Sequence, residues 1–270
     1  MIKKIILNAD DLGFTESINL AIKNAHLQGF LSHASLMANT TYFDHAVSQV
    51  LPECPNLKIG VHVNLTCSQA LTGSSEIAPN GKLDGSFVSW LRLKKTNKNL
   101  ELIKQEIEAQ ILKVKSVYPN ISHIDGHEHI HIIPSINKIV RKLAKKYDIP
   151  RVREINENGL ESFKFNYKTT PIVNYAKWGL LRFLSLFNEN SGKVKFYSIL
   201  NTCRISEENL FKYLTHTDAE VVEIMVHPSL GFHPQDKKEL DERFITFFQS
   251  PYRKQEYDLC FNQKFKDYEF

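Results

Sequence analysis

Strand-like and helix-like stretches alternate along most of this chain, and that alternation limits its folds more than any other feature. KKIILNA (3–9) reads as a strand, and INLAIKNAHLQ (18–28) carries apolar residues at helical spacing with Gly29 as its stop. LSHASLMAN (31–39) reads as a short strand, 42–51 as a helix, and the β-branched KIGVHVNLT (58–66) as a strand. NLELIKQEIEAQILKVKSV (99–117) is the clearest amphipathic helix, and PSINKIVRKLAKKY opens another at Pro134. VREIN (152–156), VKFYSIL (194–200) and VVEIMVHPS (221–229) continue as strands, with a helix around 206–214. Repeated alternation of this kind predicts an α/β fold with a parallel sheet, open or closed into a barrel.

The polar residues fall where such a fold builds its sites. Asp10-Asp11, His62-Asn64, Asp125-His127, Arg153-Glu154 and His227 each lie at or just beyond the C-terminal end of an expected strand. That edge carries the sites of α/β barrels and open α/β sheets. Between 67 and 90 the composition predicts a long loop, and loops of that length in compact domains are usually functional or mobile.

The segment ISHIDGHEHIHIIPS (121–135) concentrates His123, His127, His129 and His131 around Asp125, in a chain with only 11 histidines. HEHIH formally satisfies H-E-x-x-H, but that motif needs a helix to bring its two histidines onto one face. Gly126, the surrounding isoleucines and Pro134 oppose a helix. The polar residues recur every second position, so an extended segment would place them on one side. Neighbours on one strand face stand roughly 6.5–7 Å apart. One or two of them can therefore bind a given ion while the others orient or support it. The remaining ligands must come from elsewhere, with Asp10, Asp11 and His62 the best placed. An Asp with two His suits Zn²⁺, Mg²⁺ or a similar divalent ion with open positions. Two adjacent carboxylates can divide the work between holding the ion and acting as general base. His227, at a strand end before Pro228, is placed to protonate a leaving amine.

Taken in order, LNADDLG, GVHVNLT, HIDGHEHIH and IMVHPS resemble the YdjC family of carbohydrate deacetylases, which includes chitooligosaccharide and hopanoid-biosynthesis deacetylases. The similarity runs from the first strand to about residue 235. It implies a distorted TIM-like (β/α) barrel with mostly parallel strands, formed by one domain over 1–270 with an insertion at about 157–192 and a C-terminal extension from about 235. It implies one divalent metal, Mg²⁺ or Zn²⁺, held by Asp11, His62 and His127, with Asp10 as general base and His227 as general acid. Asp125, His129 and His131 would then support the site, and Arg153 would orient Asp10 or bind substrate. The implied reaction is removal of acetyl from an N-acetylated sugar. Two alternatives stay open, a metal-dependent phosphoesterase and a non-catalytic sugar-binding relative.

Composition fits an ordinary globular chain, 42% hydrophobic and 24% charged. A net charge of +4 spread along 270 residues gives no reason to expect nucleic acid as a partner. The cysteines, Cys54, Cys67, Cys203 and Cys260, are scattered without a CxxC and read as buried free thiols in a reducing compartment. The first residues carry too short an apolar run for a signal peptide, so a cytoplasmic location is expected. The apolar stretch 174–187 reads as a helix packed on the core or on a second subunit of a homo-oligomer. Its alternative is an interfacial helix touching a membrane surface or a lipid-linked substrate. The charged, aromatic tail from 235 is expected to form one helix and an ordered extension.

Overall fold

Parallel neighbours cannot be joined by tight turns, so the chain must return between strands through helices or long crossovers. The computed structural model, which describes residues 4–166, 170–231, 236 and 242–270, shows this arrangement. The strands are β1 (Lys4–Leu12), β2 (His33–Leu36), β3 (Lys58–Val63), β4 (Ile124–Gly126), β5 (Val194–Tyr197) and β6 (Val221–Val226). They form one curled sheet, half of a barrel, in the order β4-β3-β2-β1-β6-β5, and the pairings described are parallel throughout. All of β1 beyond Lys4 is buried, as expected of a strand covered on both faces.

Helices α1 (Glu16–Gln28), α2 (Phe43–Gln49), α3 (Phe87–Arg92) and α4 (Asn97–Val117) precede β4. Thr15 and Thr96 cap α1 and α4, accepting from the backbone N–H of Ile18 and Asn99. The buried face of α4 includes Ile103, Ile107, Ile111 and Val114, but also Glu106 and Gln110. Glu106 holds the long loop, and Gln110 holds the residue that follows β3. Glu106 accepts from the backbone of Leu71 and Thr72, and Gln110 bonds both backbone groups of Asn64.

After β4 come α5 (Pro134–Lys146), α6 (Gly159–Asn166), α7 (Ile172–Ser185), α8 (Glu207–His216), α9 (Glu242–Phe248) and α10 (Pro251–Leu259). The expected insertion at 157–192 contains α6 and α7. The tail holds two described helices and a short 3₁₀ turn, Gln263–Asp267, rather than one helix. Its residues from 235 to 241, apart from Asp236, lie outside the described residues. Phe244, Leu259 and Phe265 join the same apolar cluster as Ile5 and Leu7 of β1.

Two further expectations are corrected. The polar period-two pattern of 123–131 does not run as one extended row. Strand β4 stops at Gly126, and His127–Ile132 form a tight 3₁₀-like turn with Glu128 (φ 51°) and His129 (φ 61°) left-handed. The chain must reverse there to start α5 at Pro134, and the reversal separates the histidines. The VREIN strand is reduced to a single parallel bridge, Ile124 to Val152. Side chains take over from the backbone ladder where this segment meets the chain around β5. Glu154 accepts from the N–H of Ser191 (2.6 Å) and Gly192 (3.0 Å), and Asn156 accepts from Phe196 N–H at 3.0 Å. Glu157 accepts from Ile199 (2.8 Å) and Leu200 (3.2 Å).

Candidate active site

Adjacent residues of a regular strand point to opposite faces, so Asp10 and Asp11 should diverge. Strand β1 breaks that rule with a bulge. Its register with β2 shifts between Ala9 and Leu12, and Asp11 has φ 69°, in the left-handed region. Both carboxylates consequently line one cavity of about 250 Å³ at the C-terminal edge of the sheet, together with His62, His127, His129 and His227. Lys177 of α7, Thr202, and Phe244 and Phe247 beside α10 complete much of its wall.

Asp11 Oδ1 lies 3.0 Å from His127 Nδ1 and 3.6 Å from His62 Nε2. Its other oxygen faces Arg253, whose two terminal nitrogens stand 3.4 Å away. Burial alone would raise the Asp11 carboxyl, but the His127 hydrogen bond and the charges of His127 and Arg253 hold it far below the usual carboxylate range. His62 and Asp125 are register partners on β3 and β4, and His62 Nδ1 meets Asp125 Oδ1 at 2.7 Å. That contact leaves Nε2 as the nitrogen facing Asp11. His62 is raised: burial opposes its charge, but Asp125, Asp10 and Asp11 outweigh it.

Arg153 is fully buried and ties the carboxylates together. It grips both oxygens of Asp10 at 2.7 Å, reaches Asp125 Oδ2 at 2.7 Å and donates from Nε to Glu223 of β6 at 2.7 Å. A fork-to-carboxylate pair of this kind fixes orientation as well as charge. Asn8 adds a hydrogen bond to Asp10 Oδ1 (2.8 Å), and Ser35 donates to Asp125 Oδ2 (2.6 Å).

The four clustered histidines separate by position. His127 and His129 line the cavity. His123 lies behind the sheet edge, 3.0 Å from Ser35 Oγ, with its ring against Gly60, where a Cβ would meet the ring at 2.3 Å. His131 is fully buried without a hydrogen-bond partner on either nitrogen, and burial pushes it down to about 3. Burial also drives His129 well below the ordinary histidine value, with Lys177 and Arg153 adding to the shift. His227 moves the other way. Burial opposes its charge, but Cys203 and Glu256 beside it raise it well above the ordinary value.

Ligand atoms of Asp11, His62 and His127 all lie within 4.8 Å of one another. His127 Nε2 is buried without a hydrogen-bond partner, and the set of one carboxylate and two imidazoles fits a divalent ion. Asp10, His62 and Asp125 form a second group of similar spacing, but the Arg153 guanidinium already spans both of its carboxylates. A cation is therefore better accommodated by the first group.

Sequence reasoning missed Arg253 and Glu256. Both lie on α10 and face inward, 1% exposed each. Their spacing of three on one helix face was the available signal, in a tail otherwise read as an extension. Lys177, Thr202 and Cys203 had no signal, because their positions depend on the turn after β5 and the placement of α7.

The family model described as YdjC-like protein matches residues 4–268. A carbohydrate deacetylase of Vibrio cholerae is 34% identical over 178 residues, covering 66% of this chain and 69% of that protein. A carbohydrate deacetylase of Thermoanaerobacter pseudethanolicus is 25% identical over 244 residues, covering 90% and 91%. A crystal structure from Enterococcus faecalis, provisionally described as a cellobiose-phosphate cleavage protein, superposes with a TM-score of 0.69 at 22% identity, covering 99% of this chain and 94% of that one. This last likeness concerns the fold.

Proposed function

Since this chain belongs to the YdjC-like family, we propose that it is a carbohydrate deacetylase that hydrolyses the acetamide of an N-acetylated sugar, such as an N-acetylglucosamine-containing glycan. The observation that carries this reading is the convergence of Asp11, His62 and His127 beside Asp10 and His227 in one cavity.

Asp11, His62 and His127 would hold one divalent ion, Mg²⁺ or Zn²⁺, which when bound polarises the amide carbonyl and acidifies water. Asp10 takes a proton from the attacking water, with Arg153 holding both carboxylate oxygens in place. Asp125 fixes the His62 ring through Nδ1. His227 gives a proton to the departing nitrogen, so acetamide and water become acetate and a free amine. His129 and His131 support the turn that presents His127. Phe244 and Phe247 limit water access to the cavity.

Replacing Asp10 tests the reading. Asp10→Asn should lower kcat by about 10²–10⁴-fold with metal content unchanged, since a general base contributes about that much. Wild-type turnover in this variant would overturn the assignment. Release of phosphate rather than acetate from acylated and phosphorylated sugars would favour a phosphoesterase instead.

A second reading concerns the substrate. Helix α7 buries Leu181 and Leu184 but exposes Phe183 (56%), and Leu186 and Phe187 follow at 72% and 65%. Ile172 and Val173 at its start are also exposed. Lys177 of the same helix lines the cavity, so the helix that carries these exposed apolar side chains also forms part of the cavity wall. This supports a lipid-linked glycan presented at a membrane surface. No described helix is long and apolar enough to cross a membrane. Co-sedimentation with phospholipid vesicles should fall in a Phe183→Ser, Leu186→Ser double variant. A concentration-dependent dimer broken by the same substitutions, with no vesicle binding, would assign the face to self-association.

A further inference from the structure

Behind the cavity wall stands another group of metal-binding side chains. Cys203, His227 and Glu256 each place one ligand atom within 4.8 Å of the others, and all three residues are buried. They come from distant elements: the turn after β5, the end of β6, and α10. Cys203 has φ 55°, a left-handed turn that follows Thr202 of the cavity wall. Glu256 Oε2 accepts the His227 backbone N–H at 2.6 Å and lies 3.4 Å from His227 Nδ1. Glu256 Oε1 and His227 Nδ1 are both buried without a hydrogen-bond partner. A buried carboxylate oxygen and imidazole nitrogen left unpaired are costly unless something else satisfies them.

We propose that Cys203, His227 and Glu256 form a second cation site, selective for a thiophilic divalent ion such as Zn²⁺. The sulfur, nitrogen and oxygen donors make this set softer than Asp11, His62 and His127, and thiolate is the ligand that favours zinc over magnesium. On binding, the Cys203 thiol and the His227 imidazolium each release a proton to solvent, and the thiolate and the Glu256 carboxylate balance the two charges of the ion. The other three cysteines are also buried free thiols, but among the described residues only Cys203 falls within such a group. The site acts as an inhibitory switch. An ion on either nitrogen of His227 displaces the imidazolium proton, so none reaches the leaving amine. The inhibition rests on the general-acid role proposed above for His227; the binding does not.

Cobalt titration separates the two. Apo-protein is titrated with Co²⁺ while total bound metal and the near-ultraviolet thiolate-to-cobalt charge-transfer absorption are followed. Two equivalents should bind, the sulfur band should accompany only one of them, and Cys203→Ser should keep one equivalent and lose the band. In parallel, the Zn²⁺ concentration that halves acetate release, relative to each protein's own uninhibited rate, should rise about tenfold or more in Cys203→Ser. A wild-type protein that binds cobalt without a sulfur band, in one equivalent or two, overturns the proposal. So does a band that survives in both Cys203→Ser and Cys203→Ala. A band in a protein that releases no acetate would leave the site standing and sink the deacetylase reading.

Discussion

Asp125 shows how one buried side chain can set the properties of another. It sits opposite His62 in the β3–β4 register and bonds its Nδ1, which determines which nitrogen faces Asp11. Its second oxygen is held by Ser35 and Arg153, so the imidazole is oriented by a carboxylate that is itself fixed. Asp125→Asn keeps the shape but offers an amide nitrogen to a donor. Metal affinity should fall about 10–100-fold, as is typical when a carboxylate supporting a ligating histidine is lost. Competition against a chromophoric chelator measures it, and an unchanged affinity would show that His62 needs no such support. At this scale the sequence was informative where a residue's place follows from its own strand. Asp10, Asp11, His62 and His227 could be read because each stands at a strand end. The bulge that turns Asp11 beside Asp10 could not, since it arises from the mismatch of β1 against β2. Arg253 and Glu256 were hidden for a similar reason. Only the docking of α10 against β6 brings them to Asp11 and His227.

Among the elements, the seam between residues 154–157 and the chain around β5 is the least regular part of the barrel. Periodicity placed other elements closely, as in the amphipathic α4 and the β-branched β3. VREIN has strand composition, yet only Val152 pairs, because the strands that would complete its ladder are replaced by side-chain acceptors. Glu157 is the deepest of these. Burial raises its carboxyl to about 7 from an ordinary 4.5, although Ser162 and the N–H groups of Leu200 and Ile199 bond it and work the other way. Between those values the folded chain keeps a proton that the unfolded chain has released. Stability should therefore fall as pH rises through that window and level off above it. Glu157→Gln retains an acceptor for the backbone N–H groups and does not ionise. Chemical denaturation from pH 4 to 8 should show wild type losing on the order of 3 kcal/mol relative to this variant. Parallel pH profiles for the two proteins would contradict the assignment.

Across the whole molecule, the sheet brings four distant segments to one edge, and α7 and the tail close the cavity from two sides. α7 contributes Lys177 to one wall and keeps an apolar outer face, and the tail supplies Phe244, Phe247 and Arg253. The alternation of elements made the parallel sheet and the polar edge of its candidate site legible in advance. Which later segments close over that edge was not legible, because it depends on contacts between parts of the chain more than 200 residues apart, as between Asp11 and Arg253. The account depends on one placement: a divalent ion held jointly by Asp11, His62 and His127. Anomalous diffraction at the zinc edge, from crystals of the Cys203→Ser protein loaded with a single equivalent of Zn²⁺, tests this directly. The predicted map has its strongest peak between the Asp11 carboxylate and the rings of His62 and His127. A map whose peak lies elsewhere, or which has no peak among these three side chains, would contradict it.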